Sequence, residues 1–177
     1  MNTKILALAI AATLTPLLAT ASDGTLTFGG MLQTQTCSIS GPANFTVTLP
    51  TVTTWSLANV DDQAGETPFS ISVSGCTALM TGANVYFEDG PNVVSDHYTL
   101  RNTATSGGAS NVELILKIST GDQVNLAPFP FSSQYTPYTN NVSSNAARLN
   151  YTVAYTATGA ATAGTFQSSV TYSMVYN

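Results

Sequence analysis

Charge is scarce in this chain: Asp, Glu, Lys and Arg make up 7% of its 177 residues, against about a quarter in an average globular protein. One histidine (His97), one tryptophan (Trp55) and two cysteines (Cys37 and Cys76) are present. Each shortage removes a class of function. A lone histidine without a Gly-x-Ser-x-Gly elbow supports no serine or cysteine triad, and it leaves a zinc site short of nitrogen ligands. No enzymatic activity and no cofactor are therefore expected. Beyond residue 21 the basic residues are Arg101, Lys117 and Arg148, against nine acidic ones. No positive field is available to attract nucleic acid or an anionic lipid surface. No stretch reaches the ~20 apolar residues that a membrane-spanning helix needs.

The N-terminal residues have the layout of an export signal. Lys4 supplies a positive start, Ile5 to Ala12 an apolar stretch, Pro16 a break, and Ala19-Thr20-Ala21 a small-x-small cleavage site. Cleavage is expected after Ala21, and removing 21 of the 177 residues leaves 156. That length suits one domain with a core large enough to fold unaided. In an exported chain, Cys37 and Cys76 default to a disulfide. On chain-entropy grounds a bridge closing such a loop stabilises the fold by about 4 kcal/mol, before native strain is counted.

What the chain has in abundance is Thr, Ser, Asn and Gly. Thr and aromatic residues favour strands, while Gly, Asn and Ser favour turns, so the composition points to an all-β domain. Gly24, Leu26 and Phe28 alternate with threonines, and Gly29-Gly30 interrupts them before Met31 and Leu32. Further strands are expected at Phe45–Leu49, Phe69–Val73, Val85–Phe87, Tyr98–Arg101, Val112–Ile118 and Leu149–Tyr155. Val112–Ile118 is apolar at nearly every position, as in a strand buried on both faces. Thr54 to Asp62 is long enough for a short helix, and Leu126–Tyr138, with Pro128, Pro130 and Pro137, predicts an irregular crossing. Several short strands separated by turn signals suggest a sandwich of the immunoglobulin type. Antibody domains pack their disulfide around a buried Trp, whereas Trp55 here lies in an expected loop between two cysteines of the first half.

The last fourteen residues carry the strongest pattern. Gly164, Phe166, Ser168, Val170, Tyr172, Met174 and Tyr176 fall on one face of a period-2 strand, and mainly polar residues on the other. A strand with one apolar face must lie against a core, and no later segment follows to pair its far side. Its partner on that side is expected to come from another chain. An ordinary last strand in a closed sandwich would show the same alternation.

Three stretches together resemble the pilins assembled by the chaperone and usher route, which include the type 1 and P fimbrial subunits. They are Gly24-Thr25-Leu26-Thr27-Phe28-Gly29-Gly30 leading to Cys37; Phe69-Ser70-Ile71-Ser72-Val73-Ser74-Gly75-Cys76; and a C-terminus with Gly164 fourteenth from the end and Tyr176 penultimate. Leu100-Arg101-Asn102, Asn111-Val112-Glu113-Leu114 and Tyr155 to Gly164 resemble the middle and late strands of major subunits. The resemblance implies an incomplete immunoglobulin-like β-sandwich that lacks its seventh strand and is completed by a donor strand from another chain. Strand addition of this kind is an established mode of recognition.

The resemblance further implies a signal peptide at 1–21, a donor-strand extension at 22–30 and a pilin domain at 31–177. Ser22, Gly24, Leu26, Phe28 and Gly30 would form the donor strand. Gly164, Phe166, Val170, Tyr172, Met174 and Tyr176 would form the acceptor groove and the surface met by a periplasmic chaperone. Its partners would be other pilin subunits of the same fibre, that chaperone, the outer-membrane usher and a host or surface glycan. The chain would pass through the periplasm to the cell surface and act there as a structural subunit of an adhesive fimbria. Cleavage after Ala21 leaves only Ser22 and Asp23 before Gly24, a shorter arm than in many relatives. A secreted carbohydrate-binding sandwich, or a minor tip or adaptor subunit with receptor-binding loops, is the alternative.

Other features have plainer readings. Asp61, Asp62 and Glu66 beside Gly65 suit a polar loop better than a calcium site, and Glu88-Asp89-Gly90-Pro91 reads as a turn. Phe129, Phe131, Tyr135 and Tyr138 suit core or inter-subunit packing better than stacking on sugars.

Overall fold

Two long antiparallel strands frame the domain. β2 (Gln63–Ser74) and β8 (Ala146–Ala157) pair from Gln63↔Thr156 to Ser74↔Ala146 in a computed structural model that describes residues 29, 36–78, 80–126, 134 and 140–176. All of these but residue 29 belong to one compact unit, residues 34–177. Between Ala64↔Tyr155 and Thr67↔Val153 two residues of β2 oppose one of β8, which makes a bulge. Gly65 permits it with φ at 70°, and a Cβ there would press on the Tyr155 ring at 3.0 Å. Below the bulge the alternation is strict: Ala147, Leu149, Tyr151 and Val153 are buried, with Arg148 and Asn150 exposed between them.

Around this pair the described strands are β1 (Ser38–Ser40), β3 (Gly82–Phe87), β4 (Val93–Val94), β5 (Thr99–Arg101), β6 (Val112–Ile118), β7 (Asn140–Asn141) and β9 (Tyr172–Tyr176). They form a six-stranded sheet in the order β1-β2-β8-β6-β5-β4 and a three-stranded sheet in the order β7-β3-β9. The core lies between the two sheets. It joins Ile71 and Val73 of β2, Leu149, Tyr151 and Val153 of β8, and Leu114, Leu116 and Ile118 of β6 to Ala83, Val85 and Phe87 of β3. Tyr151 meets Phe87 edge-on at 5.3 Å and stacks with Phe69 at 5.5 Å. Burial pushes the Tyr151 phenol up to about 12, against a smaller opposing effect of its backbone hydrogen bond at Val85. Layers of this kind, with alternate side chains meeting between two sheets, make an all-β sandwich.

β6 has five of its seven residues buried, as its apolar run predicts. β3 is buried along its whole length. One edge of Phe87 pairs with β9, and the side-chain amide of Gln134 completes its backbone: Phe87 N–H donates to Gln134 Oε1 at 2.9 Å and Gln134 Nε2 donates to Phe87 O at 2.7 Å. The disulfide Cys37–Cys76 forms, with Cα atoms 4.1 Å apart, and ties the entry to β1 to the end of β2.

Three expectations need correction. Phe45–Leu49 is no strand, because no described segment supplies ladder partners to its alternating residues. The helix expected over Thr54–Asp62 is a single 3-10 turn, Thr54–Leu57. Helical spacing of apolar residues does not continue past Leu57, and Asp61 takes up a left-handed φ of 67° to donate its N–H to Ala157 O at 2.8 Å. The last strand enters its ladder only at Tyr172: β3 ends at Phe87, one more backbone hydrogen bond runs from Glu88 N to Thr171 O at 2.9 Å, and the chain then turns at Gly90. The expected crossing at Leu126–Tyr138 lies largely outside the described residues.

Candidate functional site: an apolar seam along the last strand

The C-terminal alternation survives folding in an unusual form. Phe166, Ser168, Val170, Tyr172, Met174 and Tyr176 are all half-buried, while Thr165, Gln167, Ser169, Thr171 and Ser173 are exposed. None of the six reaches the burial of Leu149 or Val85, although the aromatic and aliphatic members pack on the main core. β9 pairs with β3 along one edge, from Phe87↔Tyr172 to Ala83↔Tyr176. Along its other edge it pairs with no described strand. An apolar row left half-covered beside a backbone edge with no partner among the described residues is the physical signature of a strand-accepting surface.

A second row faces the same core from the N-terminal side. Ile39, Val47 and Leu49 are half-buried against it, and Phe45 is 43% exposed while its ring lies 6.2 Å from Phe69. Two tyrosines reach from β9 toward this row. Tyr172 Oη donates to Ala43 O at 2.7 Å and Tyr176 Oη donates to Cys37 O at 3.3 Å. Tyr172 and Tyr176 thus meet the earlier segment in reverse order, so the two walls run antiparallel. Side-chain hydroxyls, and no described ladder, connect them. Partial burial raises the Tyr176 phenol above its ordinary value, with the Cys37 carbonyl opposing the effect.

Upstream of β9 the chain is held by a strap instead of a strand. The Asn102 amide donates to Ala109 O at 2.9 Å and Thr165 O at 2.8 Å, while its oxygen accepts from Ala104 N and Gln167 N at 3.0 Å each. Both donors and the acceptor of one side chain are thereby used on backbone. Thr103 N donates to Gln167 O at 2.7 Å, and Asn92 Nδ2 to Ser169 O at 3.0 Å. Gly164 sits where a Cβ would fall 2.3 Å from Ala109 N and 2.6 Å from Gly107 O, so only glycine lets the backbones approach. The strap seats Phe166, whose ring meets Tyr155 edge-on at 5.7 Å and marks one end of the seam.

At the junction of β3 and β9, Glu88 acts as a staple. Its carboxylate accepts from Thr171 Oγ1 at 3.0 Å and from Ser173 Oγ, and its N–H donates to Thr171 O at 2.9 Å. The Ser173 and Thr171 hydroxyls hold its carboxyl below the ordinary carboxylate range. The expected turn follows at Gly90, whose carbonyl accepts from Val93 N. Other charges are spent on the six-stranded sheet: Lys117 pairs with Glu66 at 2.7 Å, and Glu113 accepts from Thr99 Oγ1 beside His97 Nδ1 at 3.4 Å. Asp62 accepts from Asn59 N at 2.7 Å, in keeping with a polar loop.

Of the site residues expected from sequence, Phe166, Val170, Tyr172, Met174 and Tyr176 come together in the half-buried row, and Gly164 lies against the 107–109 backbone beyond its end. Ser22, Gly24, Leu26, Phe28 and Gly30 lie outside the described residues, as do Phe129, Phe131, Tyr135 and Tyr138. Sequence reading missed Ile39, Val47 and Leu49 as the facing wall, although the alternation at Phe45–Leu49 was their signal. It also missed Asn102 and Glu88, whose partners are 63 and 85 residues away.

Residues 25–177 match the family described as Fimbrial protein. The chain is 39% identical over 169 residues to the major fimbrial subunit SMF-1 of Stenotrophomonas maltophilia (strain K279a), across 92% of this chain and 97% of that protein. It is 42% identical over 165 residues to the F17 fimbrial protein of Escherichia coli, across 88% of each. A solved chaperone-usher pilus superposes with a TM-score of 0.61 over 92% of this chain and 100% of the other, at 17% identity, a likeness of fold.

Proposed function

The chain belongs to the fimbrial protein family and is a structural subunit of fimbriae; from that premise we propose that copies join by donating a β-strand into the seam between β9 and residues 39–49. The observation that carries the reading is the row from Phe166 to Tyr176, half-buried on the core beside an edge that pairs with no described strand. An added strand would satisfy that edge's N–H and C=O groups and complete the burial of alternate side chains in one step. Residues 22–30 have the matching alternation in sequence, which in an added strand would turn Gly24, Leu26 and Phe28 inward with Ser22 and Gly30 flanking them. Full burial of Leu26 and Phe28 would contribute ~1.5–3 kcal/mol each, before the ordering of the arm is counted.

On this reading residues 1–21 direct export and are removed, 22–30 form the donor arm and 31–177 the accepting body. A chaperone strand in the periplasm would protect the same seam until the usher exchanges it for the next subunit's arm, since an open apolar edge invites aggregation. Association with other subunits of the same fibre and a place in the fimbria accord with the relatives.

The test is a domain lacking the arm, mixed with a peptide copying Ser22 to Leu32, followed by melting temperature and size. A labile domain strongly stabilised by the peptide supports strand donation. A domain already stable and indifferent to the peptide would mean a complete sandwich, and the proposal would fall.

A further inference from the structure

Trp55 is 86% exposed, on a 3-10 turn that is otherwise firmly seated. Leu57 of the same turn is buried, and its carbonyl accepts from Ala161 N at 3.0 Å. Thr53 O accepts from both Ser56 N and Ser56 Oγ, at 3.1 and 2.7 Å. Val60, a few residues on, is 61% exposed. A fixed base carrying an indole outward has little to gain in an isolated subunit, whereas a rigid aromatic is well suited to anchor an interface.

We propose that Trp55 packs against a second copy of this chain in the assembled fibre; the inference rests on the reading of the protein as a polymerising subunit. Two observations select that occupant. The turn is continuous with the seam: Leu57, Val112 and Ala157 form a small core against which Val52 and Phe166 pack, and Phe166 marks one end of the β9 row. A neighbour engaged at that end of the seam therefore lies beside the turn. The stretch Pro50 to Val60 also contains no charged residue, in a chain of net charge −5. Asp61 and Asp62 follow this stretch directly, with the Asp62 carboxylate held on Asn59 N and Nδ2, so a copy packed on Trp55 itself meets a neutral surface.

Trp55 is the chain's single tryptophan, so the wild-type protein reports on itself. The experiment compares indole emission and acrylamide quenching in fibres sheared from cells with those of subunits dissociated from the same fibres and held soluble by the Ser22–Leu32 peptide. The proposal expects blue-shifted emission and several-fold weaker quenching in the fibre. Trp55→Ser should leave the melting of the peptide-complemented subunit unchanged and make its fibres fall apart at lower denaturant concentration. Equal quenching in fibre and subunit overturns the proposal, as does shielding seen only when a neutral glycan is added to the fibre. Neither result touches strand donation, which is judged by whether the peptide stabilises the arm-less domain.

Discussion

β8 and the C-terminal row carry the same alternation and end in different states. Along β8, Leu149, Tyr151 and Val153 are buried under a second sheet, and strands pair with it on both edges. Along the last segment, Val170, Tyr172 and Met174 lie on the same core and are half-buried; Tyr172 and Met174 have a described ladder on one edge only, and Val170 precedes that ladder. Period 2 therefore says that a face meets a core; it does not say that the face is covered. The difference separates a region that is finished within one chain from one that a second strand can finish.

The largest way to break this comparison is in the finished region. Leu149→Ala should cost about 3 kcal/mol, because a side chain with no exposed surface is replaced by a cavity. Denaturant unfolding of the arm-less domain should show that loss equally with and without the Ser22–Leu32 peptide. A loss that vanished on adding peptide would mean that the two regions are not separate.

Gly164→Ala tests the strap. A methyl 2.3 Å from Ala109 N forces Thr165 away from Asn102, with an expected cost of roughly 1–3 kcal/mol. Peptide affinity should fall beyond that, since Phe166 is seated by the same contacts. Unchanged affinity, read by titration calorimetry, would show that the end of the seam does not depend on the strap.

Met174→Ala sharpens the contrast from the other side. Half-buried in the subunit, Met174 should cost below about 1 kcal/mol in the peptide-free domain and about 2 kcal/mol once a strand covers it. The difference between the two melts is the measurement. Equal costs would mean that strand addition buries nothing at that position.

The smallest effect belongs to Glu88→Gln. Because the Ser173 and Thr171 hydroxyls lower the Glu88 pKa from its ordinary 4.5, the folded state favours the carboxylate. Its stabilisation is full above that ordinary value and is lost as pH falls through the lower folded value. The wild-type melting temperature should dip on acidification in that window, and the variant should show a shallower dip. Exposure to solvent keeps the effect small.

Much of this was legible from local pattern. The burial of Leu149, Tyr151 and Val153, the two-faced burial of Val112–Ile118, the Cys37–Cys76 bridge and the row ending at Tyr176 all follow from spacing, composition and export. Phe45–Leu49 was legible as alternation and misleading as a strand, because a strand also needs a partner. Gly164 stood out in the C-terminal pattern, yet its physical reason, a backbone passing at 107–109, is invisible in the residues around it. Asn102 and Glu88 looked like loop residues because their hydrogen-bond partners lie far along the chain. Trp55 looked like an ordinary loop tryptophan, and only the burial of Leu57 beneath it shows how firmly the indole is presented.

The sequence by itself determined an all-β chain with the layout of an exported protein, one disulfide, a near-neutral surface and apolar faces at both ends, since each rests on composition or on side-chain periods within a few residues. Tertiary structure alone decided which apolar faces of the described strands are covered, that the Phe166–Tyr176 row is half-buried beside Ile39, Val47 and Leu49, and that Asn102, Gly164 and Glu88 hold it there. Coverage and pairing are relations between segments tens of residues apart, and they are set by which backbone edges and apolar surfaces meet when the sheets close.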